Sequence, residues 1–237
     1  MRLSRPLTAG SLLASALIIA LLTGCGGSSS KSSGNGIADK SANEILAATK
    51  VAADAATSVH VAGSIVSGGS PITLDMELLA GKGGRGKLSE GGLAFELIDT
   101  GGTVYIKGGS AFYKHIGGAA AAQLLQGKWL KAPAKSSNFA SLASLTDLHE
   151  LVDSTLASHG TLTKGGTTSV NGQKVVGLTD NTKGGTLYVA ATGPPLPLEI
   201  TKSGSGAGKI TFDRWSKPVT ITAPANSIDV AQLQSGH

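Results

Sequence analysis

The 237-residue chain carries 20 basic against 15 acidic side chains, a net charge of +5, and 34 glycines beside only 4 Phe, 3 Tyr and 2 Trp. A positive excess this small, spread over loop lysines without interleaved aromatics, excludes a dedicated nucleic-acid surface. Cys25 is the single cysteine, which excludes an intramolecular disulfide.

In chain order, Arg2 and Arg5 precede an apolar run, Leu12 to Leu22, that is too short to span a bilayer and has the layout of a secretory signal. The run closes in Leu22-Thr23-Gly24-Cys25, which resembles a bacterial lipobox. That resemblance implies a signal peptide over residues 1–24, a diacylglyceryl thioether on Cys25, and a chain anchored to the extracytoplasmic face of the cell membrane. Several acyl chains on one residue hold far better than one. Loss of residues 1–24 removes two basic side chains and no acids, leaving 18 against 15, a net of +3. Gly26 to Gly36, GGSSSKSSGNG, is a flexible linker, so residues 25–36 form the tether and residues 37–237 the folded domain.

The domain opens with a helix. Ser41-x-x-Glu44 is a capping box, and Ile45, Leu46, Ala48, Ala52 and Ala56 follow at helical spacing. After Ser58 the period changes to two. Val59, Val61 and Ile65 form one strand. Ile72, Leu74, Met76 and Leu78 alternate with Thr73, Asp75 and Glu77 in the next, and Gly84–Ser89, Leu93–Asp99 and Thr103–Lys107 continue the meander between glycine-rich turns. An Ala-rich helical insert, Phe112 to Gln126, leads to a short strand at Lys128-Trp129-Leu130-Lys131, which Pro133 ends. Leu145, Leu148, Leu151, Val152 and Leu156 then predict a second amphipathic helix. Strands resume at Gly160–Val170, Gln173–Asp180, Gly185–Ala191, Leu196–Lys202, Lys209–Trp215 and Val219–Thr222, and Pro224 to His237 reads as irregular. The pattern predicts an α+β fold in which a sheet of about ten or eleven strands curls around the apolar stripes of the helices.

Three motifs offer chemistry that their context withholds. Gly81-Lys82-Gly83-Gly84-Arg85-Gly86-Lys87-Leu88 approximates a P-loop, but Leu88 replaces the Mg²⁺-binding hydroxyl and the segment joins two strands rather than opening a helix. His149 and Asp153 share a helix face at metal-ligand spacing without an evident third ligand. Asp75 and Glu77 lie together on a face read as solvated. The chain has no G-x-S-x-G, and its five histidines sit in unrelated contexts. Neither catalytic residues, metal ligands nor a cofactor is expected. Trp129 and Trp215 fit a cavity mouth, a membrane interface or a sheet-edge plug.

The sequence also resembles the actinobacterial lipoproteins of the LppX, LprA, LprF and LprG kind, related in fold to the carriers LolA and LolB. The resemblance rests on the lipobox and linker, on Ala47-Ala48-Thr49-Lys50 running into Thr57-Ser58-Val59-His60, on the Lys128-Trp129 strand between helical stretches, and on Pro197-Leu198-Glu199-Ile200 followed by Asp213 to Val219. It implies a half-barrel sheet around helices, with a hydrophobic cavity that binds or carries a lipid or glycolipid in the cell envelope. It further implies a monomer that has the membrane and an envelope transporter as partners. Residues phased toward such a cavity are Leu74, Met76, Leu78, Phe95, Leu97, Val104 and Ile106, with Leu124, Leu125, Leu148 and Leu151 from the helical insert. The competing expectation is an interaction lipoprotein with a packed core and a protein partner.

Overall fold

A reciprocal cap opens the first helix of the computed structural model, which describes residues 34–136 and 139–234. Cys25, the lipobox and most of the tether lie outside the described residues. The Glu44 carboxylate accepts from the Ser41 amide at 2.8 Å, and the Ser41 hydroxyl accepts from the Glu44 amide at 3.4 Å. Helix α1 (Ala42–Asp54) therefore starts where the Ser-x-x-Glu pattern puts it. Its buried stripe is Ile45, Thr49 and Ala53. Ahead of it, Ile37 is only 2% exposed and packs with Ile45, Val176, Leu178 and Val189. The Asn35 amide donates to the Ala191 carbonyl, and its side-chain amide donates to Ala190 and Gly193. The chain is thus held against the sheet from Asn35 onward, two residues before the boundary read from composition.

Strands β1 (Ser58–Ser67), β2 (Ser70–Leu79), β3 (Gly83–Glu90), β4 (Leu93–Thr100) and β5 (Thr103–Gly108) form an antiparallel meander. Three of its four connections are Gly-Gly pairs with positive φ at both positions, the geometry a two-residue hairpin needs to match strand twist. The P-loop-like segment is the fourth connection, between β2 and β3, together with β3 itself. The meander leads into α2 (Ser110–Leu125), bent at Gly118 with φ 77°, then β6 (Leu130–Pro133), α3 (Ala140–Thr146) and α4 (Leu148–Ala157). A second meander follows as β7 (Leu162–Val170), β8 (Gln173–Asp180), β9 (Thr186–Ala190), β10 (Pro197–Lys202) and β11 (Gly208–Asp213).

Together with β12 (Ile228–Asp229), the strands of the described residues join one twelve-stranded sheet in the order β12-β6-β5-β4-β3-β2-β1-β11-β10-β9-β8-β7. Its centre is β1, which pairs with β2 on one side and with β11 on the other, 149 residues away at the Ala62–Thr211 pair. The two edge strands do not meet, so the sheet stays open. A sheet this wide curls. Val104 of β5 and Phe212 of β11 accordingly share one core with Leu148, Val152 and Leu156 of α4. The architecture is the expected α+β one, an open antiparallel sheet folded around helices.

Three elements differ from the sequence reading. The helix expected over Leu145 to Leu156 is broken at Asp147 (φ −84°, ψ 118°), whose carboxylate accepts from the Glu150 amide at 2.9 Å and caps α4. Val219–Thr222 is not a strand and takes no place in the strand order. The tail is not irregular over its described residues. It supplies β12 (Ile228–Asp229), parallel to β6, and α5 (Val230–Gln234). Ile228, Val230 and Leu233 close a small core around Tyr113, Ala122, Leu125 and Leu130. Tyr113 is fully buried there, its hydroxyl donating to the Lys128 carbonyl at 2.8 Å and accepting from the Gly108 amide at 3.1 Å.

The Asp99 carboxylate faces inward. Asp99 is 9% exposed and accepts from the Thr146 hydroxyl at 3.0 Å. Burial pushes its carboxyl above the ordinary aspartate value of 3.8. The folded state therefore holds this proton more tightly than the unfolded state does. The contribution to stability is fully present below the unfolded value and is lost as pH rises through the folded one. Asp99→Asn keeps an acceptor for Thr146 and removes the titration. Its urea midpoint is expected to match wild type at about pH 3 and to exceed it at about pH 7. Equal pH dependence in the two proteins would refute this account.

Candidate binding cavity

The inner face of the sheet leaves a cavity of about 490 Å³ beneath α3 and α4. Its walls follow from strand register. Leu74 of β2 and Leu88 of β3 are direct cross-strand partners, and Phe95 of β4 stands opposite Leu88. On the other side of Leu74 lies Gly63 of β1, flanked along its strand by Val61 and Ile65. Ile210 and Phe212 of β11, with Ile200 of β10, continue the wall across the central seam. Leu145 of α3 and Leu151 and Thr155 of α4 roof it. The Thr155 hydroxyl donates to the Leu151 carbonyl at 2.7 Å, so its proton is taken up within the helix. Only Ser89 and Glu90, next to the β3–β4 loop, bring polarity to the rim.

Register also fixes which end of the cavity carries the polar rim. Ile65, Ile72 and Glu90 lie at the strand ends that carry the 68–69 and 91–92 loops. Ile65 pairs with Gly208 at the start of β11, Gly208 with Lys202 at the end of β10, and Thr201 with Thr186 at the start of β9. The far end of β9, Ala190 to Gly193, is where Asn35 attaches. The polar rim of the cavity and the point where Asn35 attaches therefore sit at opposite ends of the strands.

The residues phased inward by sequence divide into three groups. Leu74, Phe95 and Leu151 line the cavity. Met76, Leu78, Leu97, Val104, Ile106 and Leu148 lie in the closed core beside it, none more than 6% exposed. Leu125 is buried in the separate Tyr113 cluster, and Leu124 is 55% exposed on α2. The expectation for Leu124 is corrected by helix geometry: consecutive positions diverge by about 100°, and Ala122 and Leu125 already take the buried side. Sequence reasoning missed Val61, Ile65, Ile72 and Leu88, which shared the inward phase, and Ile200, Ile210 and Phe212, whose approach depends on the β1–β11 pairing.

The outer face holds the charges. His60 on β1 lies between two carboxylates, Nε2 2.9 Å from Asp75 and Nδ1 2.7 Å from Asp213. Glu77 accepts from Arg85 at 2.6 Å and pairs with Arg214 at 3.1 Å. Asp75 and Glu77 are thus each matched by a base on a neighbouring strand. On α4, Asp153 pairs with Lys50 of α1 at 2.8 Å, and His149 is half-buried one turn before it. Among the described residues no group of three or more His, Cys, Asp or Glu side chains gathers in a way that holds a metal ion. Trp129 stacks under the Lys107 ammonium, 4.9 Å from the ring centre. Trp215 packs on Phe212 and donates to the Pro197 carbonyl at 3.0 Å, at the start of β10.

No protein-family model and no curated protein matches the chain. Solved structures do. The chain is similar to LprF from Mycobacterium bovis at 18% identity, over 78% of this chain and 97% of that one, with a TM-score of 0.55. It is also similar to the lipoprotein LppX from Mycobacterium tuberculosis at 19% identity, over 76% of this chain and 99% of that one, with a TM-score of 0.49. The LprF likeness shows a shared fold across nearly the whole of that protein, and the family resemblance drawn from the sequence holds at that level.

Proposed function

We propose that the chain is a membrane-tethered lipoprotein of the cell envelope that holds the acyl portion of a lipid or glycolipid in the cavity between its curled sheet and α3–α4. The observation that carries this reading is the chemistry of the wall. Strands on both sides of the central seam supply aliphatic and aromatic side chains, and polar groups are confined to the rim at one end. Each methylene moved from water to such a wall contributes about 0.8 kcal/mol, while a polar head stays at the mouth. The lipobox at Cys25 supplies the anchor, and the mouth, at the strand end remote from Asn35, is open to cargo while the other end is tethered. Sequestration requires neither a cofactor nor a covalent step.

The test is native mass spectrometry of the full chain, expressed in an actinobacterial host and extracted in mild detergent. The expected result is one discrete lipid per protein, lost on organic extraction and restored from envelope lipids. An unladen mass that stays unchanged after that incubation refutes the carrier and leaves a tethered interaction domain.

A further inference from the structure

A second cavity, of about 440 Å³, lies on the other side of α4, sharing Thr155 and Ile200 with the first. Its floor is apolar, formed by Leu46 of α1, Leu178 of β8, Leu187 of β9 and Ile200 of β10. Its rim is cationic. Lys183, in the β8–β9 connection, and Lys202, at the end of β10, both line it. Neither has a carboxylate within ion-pair distance among the described residues, whereas Lys50, Lys107 and Lys209 each do. The single acid on the rim, Asp180, is committed elsewhere: it accepts from the Gly160, Thr182 and Lys183 amides, each at 2.8 Å. That carboxylate fixes the turn that presents Lys183. Lys202 lies along two glycine turns, where a Cβ at Gly185 would stand 3.5 Å from its Cβ and one at Gly206 would stand 3.5 Å from its Nζ.

We propose that this cavity is a separate site for a single-chain anionic amphiphile, its chain on the leucine floor and its carboxylate or phosphate head between Lys183 and Lys202. The inference rests on the lipid-binding reading above but assigns a different cavity and a charged head. An anion at this rim gains two ammonium partners that are in no salt bridge, although Lys183 already feels Asp180 at longer range, a neutral head gains neither, and a cationic head is repelled.

The test uses the full chain in phosphatidylcholine nanodiscs with two photoreactive probes of equal chain length, a fatty acid and the corresponding alcohol, and maps adducts by peptide mass spectrometry. The acid is expected to label the peptides carrying Leu178 and Leu187 at about tenfold lower concentration than the alcohol. Lys183→Gln with Lys202→Gln is expected to abolish that preference and to leave alcohol labelling unchanged, which also shows that the variant folds. Palmitate is expected to displace the acid probe, and acetate at the same concentration is not. Equal labelling by acid and alcohol overturns the proposal, and so does displacement by acetate, which marks a site for small anions. Adducts confined to the Leu74 and Leu88 peptides overturn it while leaving the carrier reading intact, and adducts in neither cavity overturn both.

Discussion

Gly63→Val is expected to abolish cooperative folding, although valine is a far better strand former than glycine. Gly63 sits in the middle of β1 with φ 155°, between Leu74 on β2 and Ile210 on β11. A Cβ there would lie 2.0 Å from the Lys209 carbonyl oxygen and 2.8 Å from the Ile210 Cα, both backbone atoms that cannot rotate away. The partner strand repeats the device at Gly208, where a Cβ would stand 2.3 Å from the Ser64 carbonyl oxygen. Close backbone approach on both strands lets the sheet coil hard at the seam where the two meanders join. A side chain at Gly63 forces β1 and β11 apart and separates the two halves of the cavity wall. The expected loss exceeds about 3 kcal/mol, a large share of the roughly 5–15 kcal/mol that holds a domain together. Ser64→Val, one residue along on the exposed face, is expected to stay within about 0.5 kcal/mol of wild type. Urea denaturation of both variants checks this, and a Gly63→Val protein with a wild-type midpoint would show that the seam does not require glycine.

Local chemistry was legible in the sequence, and long-range pairing was not. The Ser41–Glu44 cap, the period-two alternation of β2 and the glycine pairs between strands each act over a few residues, and each element formed where those signals stood. The same cap spacing was present at Asp147 and Glu150, but one continuous apolar stripe from Leu145 to Leu156 outweighed it. The consequence reached the site: in α3, Leu145 roofs the cavity instead of extending the buried stripe of α4. The joining of the two meanders by β1 and β11 spans about 150 residues, and no turn or spacing encodes it. For that reason Leu74 and Phe95 were found from phase alone, and Ile200, Ile210 and Phe212 were not. Phase cannot separate a cavity wall from a closed core either. Leu74 and Leu97 share an inward phase on the two strands that flank β3, but Leu97 is fully buried beside Gly86, in the region where Met76 packs, and Leu74 remains half-buried at an unfilled space.

That difference sets the sharpest test of the cavity. Leu74→Trp combined with Leu88→Trp is expected to cut the bound lipid at least tenfold while shifting the thermal midpoint by only a few degrees. The two residues are cross-strand partners on β2 and β3, half-buried and directed at the same empty volume, so two indoles enter space that a ligand otherwise fills. Excluding as few as three methylenes removes about 2.4 kcal/mol of transfer free energy, roughly a fiftyfold loss of affinity. Leu97→Trp is the opposite case. Its side chain has no free space around it, and overpacking is expected to destabilise the fold by about 1–3 kcal/mol. Leu124→Trp, exposed on α2, is expected to change neither lipid load nor stability. Lipid extraction with quantitative mass spectrometry, run beside thermal unfolding, separates the three. A double variant that keeps its full lipid load would move the ligand out of this cavity. A double variant that loses lipid and unfolds like Leu97→Trp would mean that Leu74 and Leu88 belong to a closed core, with no cavity between them for an acyl chain to fill.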